Sequence, residues 1–123
     1  MRKRFIHILL GALLLAGCGS TKAPAATGEG TVIKLSDMQF HPSELTVKVG
    51  TTVTFTNEES MVHDVNQLTV KEVGKTKPGF DSGPISPGKS WSYRFDQPGT
   101  YPILCTQGLH YTAGMVGTII VTK

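Results

Sequence analysis

PSELTVKVGTTVTFTN, residues 42–57, alternates apolar and polar residues on both sides of Gly50. Leu45, Val47 and Val49 fall on one side of an extended chain, because side chains that are two positions apart point the same way in a β-strand. Val53 and Phe55 repeat this pattern after the glycine. The stretch therefore predicts two strands, LTVKV (45–49) and TVTFT (52–56), joined by a turn.

The same kind of pattern recurs on both sides of this stretch, and no window carries the 3.6-residue period of a helix. From about residue 65 to residue 89 the pattern weakens, and we expect a strand or a short helical turn followed by an irregular crossing. Glycines and prolines separate the apolar runs, as turns require. The chain from 31 to 123 is therefore predicted to be one all-β domain, an antiparallel Greek-key sandwich or barrel. Its other predicted strands are TVIKL (31–35), SWSYRF (90–95), TYPIL (100–104) and VGTIIVT (116–122).

The first 17 residues have the features of a secretory signal peptide, with a basic start and an apolar run of about 11 residues that is too short to span a bilayer. The run ends in LAGC, which resembles the lipobox of bacterial lipoproteins and implies acylation of Cys18. Residues 18–30, rich in small and polar residues, then predict a lipidated flexible tether. We expect an extracytoplasmic protein that is lipid-anchored to a bacterial membrane, in the periplasm or on the outer face of the cell.

The net charge of +3 comes entirely from Arg2, Lys3 and Arg4, because from Cys18 onward nine basic residues face nine acidic ones. This balance removes any charge-based reason to expect a nucleic-acid partner, and binding to nucleic acid is not expected. If Cys18 carries lipid, Cys105 has no partner for a disulfide. A lone thiol in an oxidising compartment is expected to be buried, bound or reactive.

CTQGLHYTAGM, residues 105–115, places Cys105, His110 and Met115 on one short loop between two predicted strands. His63 follows another strand, on a loop that can reach the same end of a sandwich. Two imidazoles, one thiolate and a weak thioether are the ligands of copper electron-transfer sites. Zinc suits this set less well, because a thioether is a poor zinc ligand. The sequence predicts one mononuclear copper site.

Together with PSELTVKVGTTVTFTN, the runs FDSGPISPGKSWSYRF and QPGTYPILC resemble the cupredoxins, the small type 1 blue-copper proteins of the plastocyanin and azurin kind. The resemblance implies copper ligation by His63, Cys105, His110 and Met115. Four residues separate the cysteine from the second histidine, as in azurins, and four separate that histidine from the methionine, as in plastocyanins. This combination is similar to the auracyanins, membrane-associated cupredoxins of phototrophic bacteria.

The residue after the first histidine departs from many relatives, which carry an asparagine there that bridges the two ligand loops. Here Asp64 occupies the position, and its expected partner is Thr106. An aspartate can accept the same hydrogen bonds but cannot donate them. We hypothesise that an ionised Asp64 near the metal stabilises Cu(II) and lowers the reduction potential.

The resemblance implies a membrane-tethered carrier of single electrons rather than an enzyme. Its partners would be a redox donor and acceptor, such as a respiratory or photosynthetic membrane complex or cytochrome c, and we expect a monomer. His110 is predicted to lie near the surface beside an apolar patch of Gly108, Leu109 and Ala113. Copper sequestration or delivery remains an alternative. A thiol nucleophile formed by Cys105 and His110 lacks a third residue to orient the histidine.

The remaining histidine and methionine candidates have simpler interpretations. His41 has no companion donors and is expected to be structural or exposed, and Met38 is expected to fill the core. Met61 would point to the same side as His63, but Met115 occupies the position expected for the thioether. Trp91, Tyr93 and Phe95 alternate strictly, which favours core packing over an electron path.

Overall fold

A computed structural model of the protein describes residues 31–123, and the predicted signal peptide, Cys18 and the tether lie outside this range. Seven strands form two packed sheets, which confirms the predicted β-sandwich. The four-stranded sheet has the order β2-β1-β4-β5 and the three-stranded sheet the order β3-β7-β6. The strands are β1 (Thr31–Ser36), β2 (Gln39–His41), β3 (Glu44–Lys48), β4 (Thr51–Asn57), β5 (Ser90–Phe95), β6 (Gly99–Leu104) and β7 (Val116–Thr122).

The predicted antiparallel arrangement is wrong for two of the pairings. Strand β1 runs parallel to β4, with Thr31 opposite Val53 and Leu35 opposite Asn57, and β3 runs parallel to β7. The pairs β1–β2, β4–β5 and β6–β7 are antiparallel. Parallel neighbours require a crossover between them. Here the crossover includes β3, which is a strand of the three-stranded sheet, and the chain then returns to the four-stranded sheet as β4.

The six predicted strands are all present, with every end within one residue of its predicted position, and the three-residue β2 is an addition. Val53 and Phe55 are fully buried, as their alternation predicts. Val49 is 40% exposed, because β3 ends one residue before it. The predicted inward face of β5 is confirmed: Phe95 is buried, and Trp91 and Tyr93 pack against the core.

The crossing between β4 and β5 is mostly irregular, as expected. Its one regular piece is a short 3₁₀ helix, Val70–Glu72, which begins after Thr69. The Thr69 backbone N–H and hydroxyl both donate to the Glu72 carboxylate, at 2.7 and 2.6 Å, and these bonds close the first turn. Isolated backbone bridges pair His63 with Ile85 and Asn66 with Asp81 within this crossing, and a third bridge joins Asn66 to Leu104 at the end of β6.

Candidate metal centre

His63 lies on the loop that follows β4 and is completely buried. Its backbone forms a two-bond bridge with Ile85: the His63 N–H donates to the Ile85 carbonyl at 3.2 Å, and the Ile85 N–H donates back at 2.7 Å. The buried Asn57 side chain holds the loop from inside, donating to the carbonyls of Met61 and Ile85 at 2.8 and 2.9 Å. The loop is therefore fixed by the backbone bonds of His63 itself and by the bond from Asn57 to Met61, two residues earlier.

Cys105 directly follows β6, and His110 lies in a 3₁₀ segment, Gln107–Ala113, that begins two residues later. Gly108 and Leu109 have φ angles of 52° and 61°, a left-handed kink that turns the chain back towards the sandwich. The N–H of Tyr111 donates to the Cys105 carbonyl at 3.0 Å, which closes the loop around the two donors.

The structure brings three of the four predicted ligands together. The Cys105 Sγ lies 3.7 Å from His63 Nδ1 and 3.5 Å from His110 Nδ1, and the two Nδ1 atoms are 3.2 Å apart. Three donors with bonds of about 2.0–2.3 Å to one ion would be separated by roughly 3.2–3.8 Å. The His63, Cys105 and His110 set therefore fits a single metal ion held in a trigonal arrangement.

Met115, the fourth predicted ligand, is fully buried in the same apolar cluster as Cys105. Its carbonyl accepts the Cys105 N–H at 3.1 Å, and its own N–H donates to the His110 carbonyl at 3.2 Å. These bonds fix the backbone of Met115 beside two of the donors. Its role as the weak axial ligand stays a prediction.

Asp64 links the two donor loops. One carboxylate oxygen accepts the Thr106 N–H at 2.6 Å, and the other accepts the Thr106 hydroxyl at 2.6 Å and the Gln107 side-chain amide at 2.9 Å. The backbone N–H of Asp64 points to the Cys105 Sγ at 3.4 Å. The loop that carries His63 is thus attached to the loop that carries Cys105 and His110.

The environment of Cys105 opposes ionisation of the metal-free thiol. The pKa of Cys105 is raised from 9.0 to about 11, chiefly by burial; the Asp64 backbone N–H acts against this shift and the negative charge of Asp64 adds to it. A metal ion binds the thiolate, so metal binding at neutral pH must release this proton.

Sequence reasoning missed two residues of the site, Asn57 and Glu59. The carboxylate of Glu59 contacts Nε2 of His63, the ring nitrogen that faces away from the other donors. Desolvation by partial burial tends to raise the pKa of Glu59, but bonds from His63, Met38 and Asp37 outweigh it and hold the pKa below its usual value. The inward position of Asn57 could have been read from the sequence, because it continues the Val53 and Phe55 alternation. No periodic pattern indicates Glu59.

The other residues singled out from the sequence lie away from the donors or at the surface. His41 is exposed, and Met61 is also exposed rather than turned towards His63. Met38 is half-buried rather than a full core residue. His110 is half-buried, and its neighbours Gly108, Leu109 and Ala113 are exposed, with Leu109 at 60%.

Residues 29–122 match the family model of the copper-binding proteins of the plastocyanin/azurin family. The chain belongs to this family. The predicted copper cofactor and the cupredoxin resemblance are confirmed at this level, and the three converging donors give the family's metal a site in this chain.

Individual cupredoxins match across most of the domain. Amicyanin-alpha of Methylorubrum extorquens is 33% identical over 99 residues, covering 77% of this chain and 76% of its own length. Plastocyanin of Scenedesmus fuscus is 36% identical over 89 residues, covering 67% of this chain and 85% of its own.

Solved cupredoxin structures share the fold. A purple cupredoxin from Nitrosopumilus maritimus superimposes with a TM-score of 0.63 at 28% identity, covering 76% of this chain and all of its own. A Cu(I) form of a mutant amicyanin gives a TM-score of 0.61 at 28% identity, covering 75% of this chain and 81% of its own. Within residues 31–123, no helix is long and apolar enough to cross a membrane.

Proposed function

We propose that this cupredoxin is an extracytoplasmic carrier of single electrons, anchored to a membrane by lipid on Cys18. The observation that carries the proposal is the convergence of His63, Cys105 and His110 within 3.7 Å of one another. Bound copper would supply the one-electron chemistry, cycling between Cu(I) and Cu(II), with Met115 as the weak fourth ligand.

The protein's own contribution is a site that needs little rearrangement. Asp64 bonds one donor loop to the other, and Asn57 fixes the loop on which His63 lies. Donors that are held in place before metal binds keep nearly the same geometry in both oxidation states. Little reorganisation favours fast electron transfer in both directions.

Electrons would enter and leave through His110, which is the half-buried member of the donor set. Leu109 and its exposed neighbours Gly108 and Ala113 form a small apolar surface beside it. Small contact areas suit brief encounters, in which a redox partner docks, exchanges an electron and leaves. The partners would be redox proteins that supply and remove single electrons, such as a cytochrome c or a membrane complex.

The burial of the donors argues against copper delivery as the main role. His63 and Cys105 are both completely buried, so a competing apo-protein could not contact them without opening the loops. A delivery protein needs an ion that can be handed over to exposed acceptor ligands. Retention of copper through repeated redox cycles is therefore the property that separates the two functions.

The test is the optical and EPR spectrum of the copper-loaded protein through several cycles of mild reductant and oxidant. We expect an intense thiolate-to-Cu(II) band that bleaches reversibly while copper stays bound. Cys105→Ser should abolish the band, whereas Ser86→Ala, an exposed change in the crossing, should leave it intact. Loss of copper to a chelator or an apo-protein during the cycles would support copper delivery instead.

A further inference from the structure

The ring nitrogen of His63 that faces away from the donor set is held by a side chain that the sequence did not suggest. Nδ1 of His63 points towards Cys105 and His110, and Nε2 contacts the carboxylate of Glu59. A carboxylate can only accept a hydrogen bond from a neutral imidazole. The contact therefore requires the proton on Nε2 and leaves the lone pair of Nδ1 directed at the metal position.

Glu59 is itself held from two further directions. Its second carboxylate oxygen accepts the Met38 N–H at 3.1 Å, and its own N–H donates to the Asn57 side chain at 2.9 Å. Its side chain is only 18% exposed, whereas that of the neighbouring Glu58 is 42% exposed and pairs with Lys34 at 3.1 Å. Two adjacent glutamates thus have different environments, and only Glu59 reaches the site.

The amide that holds Glu59 belongs to a strained turn. Ser36 pairs with Gln39, so Asp37 and Met38 are the two central residues of a tight hairpin, and their φ angles are 53° and 58°. Such a turn favours glycine, asparagine and aspartate, so Met38 is the strained residue of the pair. Strain of this kind persists where surrounding contacts enforce it, and here the Met38 N–H faces a carboxylate that contacts a buried donor.

We propose that Glu59, held by the Asp37–Met38 turn, is a positioning residue that fixes the tautomer and ring orientation of His63 and makes the site favour Cu(II). The proposal rests on copper binding at His63, as given in the proposed function. An anionic partner on the outer nitrogen makes an imidazole a stronger donor, and partners of this kind commonly contribute 10- to 100-fold to metal affinity. Glu59 would act through His63 without touching the metal.

The first experiment uses metal-free protein, so that it does not depend on copper. Long-range ¹H–¹⁵N NMR at pH 8 should show His63 of the wild type as a single tautomer, with a slowly exchanging proton on Nε2. Glu59→Ala should show mixed tautomers or fast exchange of that proton. Glu58→Ala removes the same charge one residue away and should match the wild type. Identical His63 spectra in all three proteins would overturn the proposal.

The second experiment measures copper affinity by competition with chelators. Glu59→Ala should weaken Cu(II) binding by about 10- to 100-fold, and Cu(I) binding less, because loss of a negative charge favours the ion of lower charge. Glu59→Gln, with one acceptor oxygen instead of two, should fall between Glu59→Ala and the wild type. If Glu59→Ala and Glu58→Ala bind Cu(II) within twofold of each other, the proposal fails. A wild type that does not bind copper would instead overturn the proposed function, and the NMR result would still decide the tautomer.

Discussion

Asp64 places a buried carboxylate between the donor loops, with three hydrogen bonds to its oxygens and its backbone N–H on the Cys105 sulfur. A negative charge here stabilises the more positive oxidation state of the metal. Asp64→Asn keeps the size of the side chain and removes the charge. We expect its reduction potential to rise by an amount on the order of tens of millivolts, measured by redox titration.

The control for this prediction is Asp96→Asn. Asp96 follows Phe95, which pairs with Thr51 at the end of β4 remote from His63, and it is exposed beside Arg94. Removing that charge should leave the potential nearly unchanged. An unchanged or lower potential in Asp64→Asn would contradict the assigned role.

The raised pKa of Cys105 makes the stability of the metal-free protein depend on pH. The folded thiol titrates near 11 and the unfolded one near 9.0. Well below pH 9 the thiol keeps its proton in both the folded and the unfolded protein, so the free energy of unfolding is not reduced. Between about pH 9 and 11 only the unfolded chain ionises, and up to roughly 2–3 kcal/mol of stability is lost.

Urea unfolding of the metal-free protein from pH 8 to 11 measures this loss, with Cys105→Ser as the matched control. Lysine and tyrosine titrations contribute equally to both proteins, so their difference isolates the thiol. The wild type should lose stability more steeply than the serine variant over this range. Parallel curves would show that the thiol ionises over the same pH range in the folded and unfolded states, which would contradict the prediction.

At the same scale, the types of residue were enough to predict the three converging donors, and the family resemblance suggested the link between Asp64 and Thr106, but the support from Asn57 and Glu59 was not predicted. Thiol and imidazole side chains are rare and are common metal ligands, so Cys105, His110 and His63 could be identified directly as candidate ligands. Glu59 looks like any surface glutamate in the sequence, and Glu58 beside it is one. Only the folded position of the Asp37–Met38 turn distinguishes them.

At the scale of the strands, the alternation of apolar and polar residues predicted where six strands lie but not which strands pair with each other. Strand β2 escaped prediction because its three residues carry no usable pattern and because Met38 stands where a hairpin turn usually has glycine. The parallel pairing of β1 with β4 depends on which strand lies beside which after folding. Alternation within a strand reports which face is buried and holds no information about its neighbour.

The parallel pairing also sets the orientation of the whole domain. Thr31 lies opposite Val53, and the chain leaves β4 at Asn57 towards His63. Residue 31 therefore enters at the end of the sheet remote from the donors, at a distance of roughly 15–20 Å along the strands. If Cys18 is lipidated, the tether would join the domain at Thr31, at the end opposite the His110 surface, which would leave that surface free to meet a partner.

The equal numbers of basic and acidic side chains in the domain lead to a further prediction about encounters between molecules. Residues 31–123 contain eight basic and eight acidic side chains, so two copies meet without strong net attraction or repulsion. Electron self-exchange between the reduced and oxidised protein needs no other partner, and we expect it to proceed through the apolar surface at Leu109. Its rate, from NMR line broadening, should change by less than about threefold between roughly 10 and 200 mM salt.

Substitutions at Leu109 test whether this surface is where the copies meet. Leu109→Glu places a like charge on both molecules at the contact, so self-exchange should slow at low salt and recover as salt screens the repulsion. Leu109→Gln is the neutral control, and any slowing it causes should be independent of salt. If the two variants respond to salt in the same way, electrons leave through another face. A steep salt dependence in the wild type would mean instead that local charge, and not the apolar surface, governs the encounter.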